Sequence, residues 1–134
     1  DLHFMNILAT TTAERLSLRG DYLAIDPQPQ IGEAEFAVAP ILWNRIHDLP
    51  RTDPEAGLLE RCHDFSKAAG LDPEVARQWS IAREVQNALW YAAKRSVPHG
   101  GDLARSLWVA STLAGSTLDT LPSAHDLPDP GEAA

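Results

Sequence analysis

One short signal occurs twice and fixes where helices must begin. Thr52-Asp53-Pro54-Glu55 and Leu71-Asp72-Pro73-Glu74 each place an Asp where its carboxylate can accept from free backbone N–H groups. Each follows it with a proline at the first helical position and an acid facing the positive end of the helix dipole. The first copy predicts a helix over about 54–69, with Leu58, Cys62, Phe65 and Ala69 on one face and Gly70 closing it. The second predicts a helix over about 73–96, with a stripe of Val75, Trp79, Ala82, Leu89 and Ala93, Val85 beside it, and Pro98 as the stop. Gly100-Gly101 turns the chain, and Asp102 caps a further helix over about 103–118 on a stripe of Leu107, Ala110, Ala114 and Leu118. Phe36 to His47, rich in Phe36, Ile41, Leu42 and Trp43, predicts an earlier helix, with Pro40 in its first turn or two placing the start nearer 39.

The N-terminal third has a different texture. Two short apolar stretches, 6–9 and 22–25, flank a polar stretch that ends at the turn signal Gly20-Asp21. They predict two antiparallel strands joined by a mobile loop, with Pro27 and Pro29 ending the pairing. The expected fold class is therefore mainly α with a short β-hairpin (α+β). The expected organisation is one unit over 1–120, with the hairpin at 1–35 and a helical platform at 36–120. Residues 121–134, with three prolines, acids and small residues, are expected to be disordered.

Charge excludes some partners. With 11 basic and 19 acidic residues among 134, the formal net charge is −8. Phosphate backbones need basic patches, so nucleic acid is not an expected partner, whereas a cationic small molecule is compatible. No apolar run approaches 18 residues, so no membrane span is expected. The single cysteine, Cys62, excludes an internal disulfide and points to a reducing compartment, the cytoplasm.

Three oxygen-bearing side chains stand out at the start: Asp1, Asn6 five residues later, and Asp26 just past the second strand. Phosphoryl transfer needs a base for the acceptor hydroxyl and hard oxygen ligands for Mg²⁺. This spacing supplies both, although Asp and Asn are also ordinary turn residues. The surrounding text is more specific. Asp-Leu-His-Phe-Met-Asn-Ile-Leu, Leu-Ala-Ile-Asp-Pro-Gln-Pro and Gly-Glu-Ala-Glu-Phe-Ala-Val-Ala-Pro-Ile-Leu-Trp-Asn-Arg resemble the aminoglycoside phosphotransferase family, in its streptomycin 6-kinase and hydroxyurea phosphotransferase branch. The resemblance covers residues 1–45.

It implies the C-terminal lobe of a protein-kinase-like fold, ATP as phosphoryl donor, and a cationic antibiotic as acceptor. It implies Asp1 as the catalytic base, with Asn6 and Asp26 as Mg²⁺ ligands on the nucleotide. His3 lies inside the motif and is assigned loop stabilisation. Two departures accompany these assignments. The family's nucleotide-covering loop and phosphate-binding Lys are not among these residues, so the 134-residue chain is expected to be a lobe cut at the catalytic loop and inactive alone. Apolar surface facing the other lobe would then be exposed and favour self-association. Ala37 stands where the family usually has an Asp that braces the catalytic loop, and Glu35 is expected to point elsewhere. A catalytically dead helical binding module is the alternative.

Other constellations rank below this one. Asp1-x-His3 with Gly20-Asp21 resembles the start of a binuclear metallophosphoesterase, but the Gly-Asn-His such enzymes need later is absent. Cys62-His63-Asp64 on a helix reads as a core Cys beside solvated neighbours. His99-Gly100-Gly101-Asp102 reads as a helix-entry turn, and Trp79, Trp90 and Trp108 as core. Glu74, Glu84 and Asp102 are candidates to face a cationic substrate or to sit on solvated helix faces.

Overall fold

The computed structural model describes residues 3–12, 20–26, 31–94 and 100–130. Asp1, the loop centre, Pro27, Pro29, His99 and the last four residues lie outside them. Strands β1 (Ile7–Ala9) and β2 (Tyr22–Ala24) pair antiparallel, with Ile7 opposite Ala24 and Ala9 opposite Tyr22. Among the described residues, four α-helices follow: α1 (Ala39–Trp43), α2 (Pro54–Ala68), α3 (Pro73–Ala93) and α4 (Gly100–Leu113). The molecule is mainly helical with one hairpin, as the pattern predicts. No helix among the described residues is long and apolar enough to cross a membrane.

The repeated helix start behaves as its chemistry dictates. Asp53 Oδ1 accepts from Ala56 N at 2.9 Å, and Asp72 Oδ1 accepts from Glu74 N and Val75 N at 2.9 and 3.1 Å. At the far end of α2, Gly70 sits at φ +72°, and Leu71 N reaches back to Ser66 O at 2.8 Å. That left-handed exit satisfies carbonyls the helix leaves open.

Three expectations from periodicity fail, each for a physical reason. The stretch 36–47 is not one helix. A 3₁₀ turn over Ala34–Val38 runs into the five-residue α1, and Arg45 at φ +52° breaks the chain before a second 3₁₀ turn at Ile46–Asp48. The last helix stops at Leu113 rather than 118, because Gly115 adopts φ +80° and Ser116 N caps Ser111 O at 3.0 Å. It also begins earlier, so Asp102 lies in its first turn rather than capping it.

The third failure concerns α3. Its expected core stripe faces outward: Trp79, Val85 and Leu89 are exposed. The buried face is Ala76, Ser80, Glu84 and Ala88, spaced every fourth residue. Small residues there let α4 approach closely, so packing rather than side-chain hydrophobicity selects the inward face. Trp79 instead donates its indole N–H to Glu33 Oε2 and meets Phe36 edge-on at 5.6 Å. Of the three tryptophans expected in the core, only Trp108 is there, at 1% exposure. Around it lie Val38, Leu42, Ile46, Leu58, Val109 and Leu113.

The C-terminal segment also departs from expectation. Residues 121–130 are ordered against the platform: Ala124 and Leu127 are buried in the core, around a 3₁₀ turn at Ala124–Asp126. Its carbonyls find donors despite the prolines. His47 Nε2 bonds Leu127 O at 3.1 Å, Arg105 donates to Pro128 O, and His125 Nε2 returns the contact to Leu49 O at 3.0 Å. Composition signalled disorder here because these partners come from 76 or more residues earlier for the two histidines.

One close approach yields a test of the packing. Gly57 in α2 lies against Pro50; a Cβ there would collide with Pro50 Cδ and stand 3.1 Å from Pro50 Cγ. Alanine in place of a helical glycine gains about 1 kcal/mol of propensity. Overpacking against a rigid ring costs about 1–3 kcal/mol. Gly57→Ala is therefore expected to lower stability, by about 1 kcal/mol net, as read by urea denaturation.

Candidate functional site

The hairpin builds the candidate site from its first residues upward. A 3₁₀ turn over Phe4–Asn6 leads into β1, and Asn6 N closes it on His3 O at 2.9 Å. The ladder then extends one step past the strands, where Ile25 N donates to Asn6 O at 2.9 Å. Asp26 follows directly, so backbone pairing brings the Asn6 and Asp26 positions together from 20 residues apart in sequence. Asn6 is buried at 8% exposure, and Asp26 is exposed. Asp26 adopts φ +51°, one of two non-glycine residues with positive φ among the described residues. That backbone costs about 1 kcal/mol or more and marks a position held by its surroundings. Thr10 secures the other end of the hairpin, with Thr10 N to Asp21 O at 2.9 Å and Thr10 Oγ1 to Gly20 O at 2.8 Å.

Asp1, the proposed base, lies outside the described residues. Among those residues no three His, Cys, Asp or Glu side chains gather as a metal-binding group. Asn6 and Asp26 are oxygen donors of the kind Mg²⁺ selects; the ladder sets Asn6 opposite Ile25, the residue before Asp26.

The platform grips the loop through residues the sequence reading did not single out. Phe4 packs against the core, with the Arg45 and Arg61 guanidinium carbons 5.3 and 5.8 Å from its ring centre. Arg61 also donates to Asn44 O at 3.0 Å and Arg45 O at 3.2 Å, which ties α2 to the break after α1. Burial pulls the Arg61 guanidinium down, and Asp48 partly restores it. Arg45 Nε meets Asp48 Oδ2 at 2.5 Å, holding its left-handed turn. Ala37 offers no brace, and Glu35 points away from the loop, accepting from Asp72 N at 3.3 Å. Cation–π contacts carry no periodic signature, which is why the arginines were not legible.

Beside the loop lies a cleft of about 270 Å³, lined by His3 and Met5 from the loop, Trp43 from the end of α1 and Asn44 just past it, and Glu84, Asn87 and Tyr91 from α3. Glu84 is 1% exposed, not solvated as one reading of the sequence allowed. Its Oε1 accepts from Asn87 Nδ2 at 3.3 Å, while Oε2 has no hydrogen-bond partner. Burial pushes its carboxyl up, opposed by the Ser106 hydroxyl, the Asn87 amide and the Arg83 guanidinium. Asp102 is likewise buried, whereas Glu74 is exposed and held at about 2 by Arg77 and Gln78. Cys62 is buried, with burial pushing its thiol up, and His63 pairs with Asp64 at 3.0 Å in solvent, as expected of that trio.

Glu84 makes stability depend on pH. Because its folded value is raised, the folded state binds a proton more readily than the unfolded one. Stability attributable to this group is thus highest below the ordinary Glu range and falls as pH rises through the folded value. Glu84→Gln removes the buried charge and keeps the Asn87 contact. It is expected to stabilise the chain by about 1–2 kcal/mol at pH 7, with the gain shrinking toward pH 4.5, measured by denaturation at both pH values.

Residues 1–94 match the model of the aminoglycoside/hydroxyurea antibiotic resistance kinase family. The chain belongs to that family, whose members are phosphotransferases. It is 35% identical over 91 residues to a streptomycin 6-kinase of Streptomyces glaucescens, covering 67% of this chain and 27% of the relative. It is 38% identical over 91 residues to a hydroxyurea phosphotransferase of Kitasatospora aureofaciens, covering 67% and 22%. A streptomycin 6-kinase of Streptomyces griseus is 35% identical over 94 residues, covering 67% and 27%. The chain thus spans about a quarter of the length of these relatives. No solved structure matches it significantly.

Proposed function

We propose that these residues form the acceptor-side lobe of a protein-kinase-like phosphotransferase that moves the γ-phosphoryl group of ATP to a hydroxyl of an aminoglycoside-like antibiotic. What supports the reading is the family match, together with a hairpin ladder that pairs Asn6 with Ile25, the residue before Asp26. Asp1 acts as base, accepting the proton of the attacking hydroxyl. Asn6 and Asp26 hold Mg²⁺, which when bound neutralises charge on the transferring phosphoryl group. Arg61, Arg45 and Phe4 keep the loop in register with the platform. The 134 residues alone are proposed to be inactive, since they amount to about a quarter of the length of the relatives. The protein is proposed to work in the cytoplasm, where ATP is available.

The test is an NMR titration of the chain with Mg²⁺. Saturable shifts at Asn6 and Asp26 at millimolar Mg²⁺ are expected; their absence while the fold is intact overturns the metal assignment. Separately, ATP and streptomycin incubated with the 134-residue chain are expected to give no phosphorylated product.

A second reading, a catalytically dead interaction module, is favoured by apolar side chains exposed along the hairpin and the loop after it: Met5 at 73%, Tyr22 at 72% and Ile31 fully. Under it the chain self-associates through that surface and Mg²⁺ leaves Asn6 and Asp26 unmoved. Sedimentation and the same titration separate the two.

A further inference from the structure

We propose that the cleft beside the loop is the seat for a guanidinium or ammonium group of the acceptor, with Glu84 as the residue that recognises it. This rests on the phosphotransferase reading and names a specificity-determining group within it. The cleft is open at the surface and ends on a side chain that is 99% buried yet has a carboxylate oxygen, Oε2, without a partner. Ser106, Asn87 and Arg83 offset part of the carboxylate's lost hydration, but no donor bonds Oε2 itself. A folded protein tolerates that cost where a ligand supplies the missing donor. The donor best matched to a buried carboxylate is a charged N–H group, because a charge-assisted bond offsets desolvation more fully than a neutral one.

The walls suit the same ligand. Trp43 and Tyr91 offer aromatic surface, and a planar cation stacks well on such faces. Trp43 is held by its own indole N–H, which donates to Ser106 Oγ at 3.1 Å, so the wall is preorganised. The Asn87 amide donates to Glu84 Oε1 and so fixes the carboxylate with Oε2 left for the ligand. Arg83 also lines the cleft, but its guanidinium is turned to the Phe36 ring at 4.8 Å and donates to Phe36 O at 3.3 Å. His3 Nδ1, buried and without a partner, gives the loop end of the cleft a second polar atom for the ligand. The cleft thus joins the loop that carries the proposed catalytic Asp to a cation seat on α3. An acceptor held there presents its hydroxyl toward the loop.

The test titrates the 134-residue chain with streptomycin, which carries guanidinium groups, and with methylguanidinium as the minimal probe. NMR signals of the Trp43 indole N–H and the Asn87 side-chain amide report the cleft. Streptomycin is expected to shift both in a saturable way, and methylguanidinium to shift the same signals at higher concentration. Glu84→Gln, isosteric and checked for an unchanged spectrum elsewhere, is expected to weaken streptomycin binding about tenfold to a hundredfold. Equal affinity in the variant, or no saturable shift at Trp43 and Asn87, overturns the seat. Neither outcome touches the phosphotransferase reading, which stands or falls on the Mg²⁺ response of Asn6 and Asp26.

Discussion

Trp108→Ala is expected to cost about 3–5 kcal/mol, the largest loss of any single truncation in this chain. Trp108 is the bulkiest of the fully buried side chains, at 1% exposure. It lies on α4 in a core cluster that also draws on α1, α2 and the C-terminal segment. Those elements cannot all collapse toward one void, and the unrelaxed cavity adds to the lost transfer energy. Set against a total stability of about 5–15 kcal/mol, the variant should be partly unfolded at 37 °C. Urea denaturation followed by circular dichroism measures this. A loss under 1 kcal/mol would mean that the core is not organised around this residue.

The second large effect is expected at Arg105. Its side chain is fully buried, stacks on Trp43 at 5.4 Å, and donates to Trp43 O at 3.3 Å and to Pro128 O. Burial pulls its guanidinium down, and Asp129 and Asp102 oppose that. One planar fork thereby fastens the C-terminal segment to α1 across α4. Arg105→Ala leaves carbonyls without donors and removes packed methylene groups, a loss of about 3 kcal/mol or more. Arg105→Lys restores the charge but not the two-directional fork, so it should recover less than half of that. Release of the segment should appear as faster hydrogen exchange at Asp126 N, which bonds Ser123 O at 3.0 Å in the native fold. Unchanged exchange there would show that Leu127 and Ala124 hold the segment by burial alone.

What could be read from the sequence divides along the range of the interactions involved. The starts of α2 and α3 were legible because an Asp-Pro pair acts on N–H groups two or three residues away. The hairpin was legible because short apolar stretches and turn residues are local signals too. The burial of Glu84 and Arg105 was not, since a charged residue at a helical position looks the same whether it faces solvent or a neighbouring helix. The inward face of α3 was misassigned for the converse reason. Its tryptophans and leucines carry the apolar signal, but Ala76, Ser80 and Ala88 permit the closer helix contact. The break at Arg45 had no glycine to announce it; Asp48 and Phe4 hold that turn from outside. Asn6 and Asp26 were named from motif spacing, and the register between them comes from the ladder.

The central claim is that the hairpin holds a divalent metal for phosphoryl transfer. Mn²⁺, a paramagnetic stand-in for Mg²⁺, locates such a site directly by broadening the NMR signals of nearby nuclei. The account predicts broadening centred on Asn6 and Asp26, competed away by Mg²⁺ and abolished in Asp26→Ala. Broadening centred instead on the acidic helix starts at Glu55 or Glu74, and unaffected by Asp26→Ala, would contradict it.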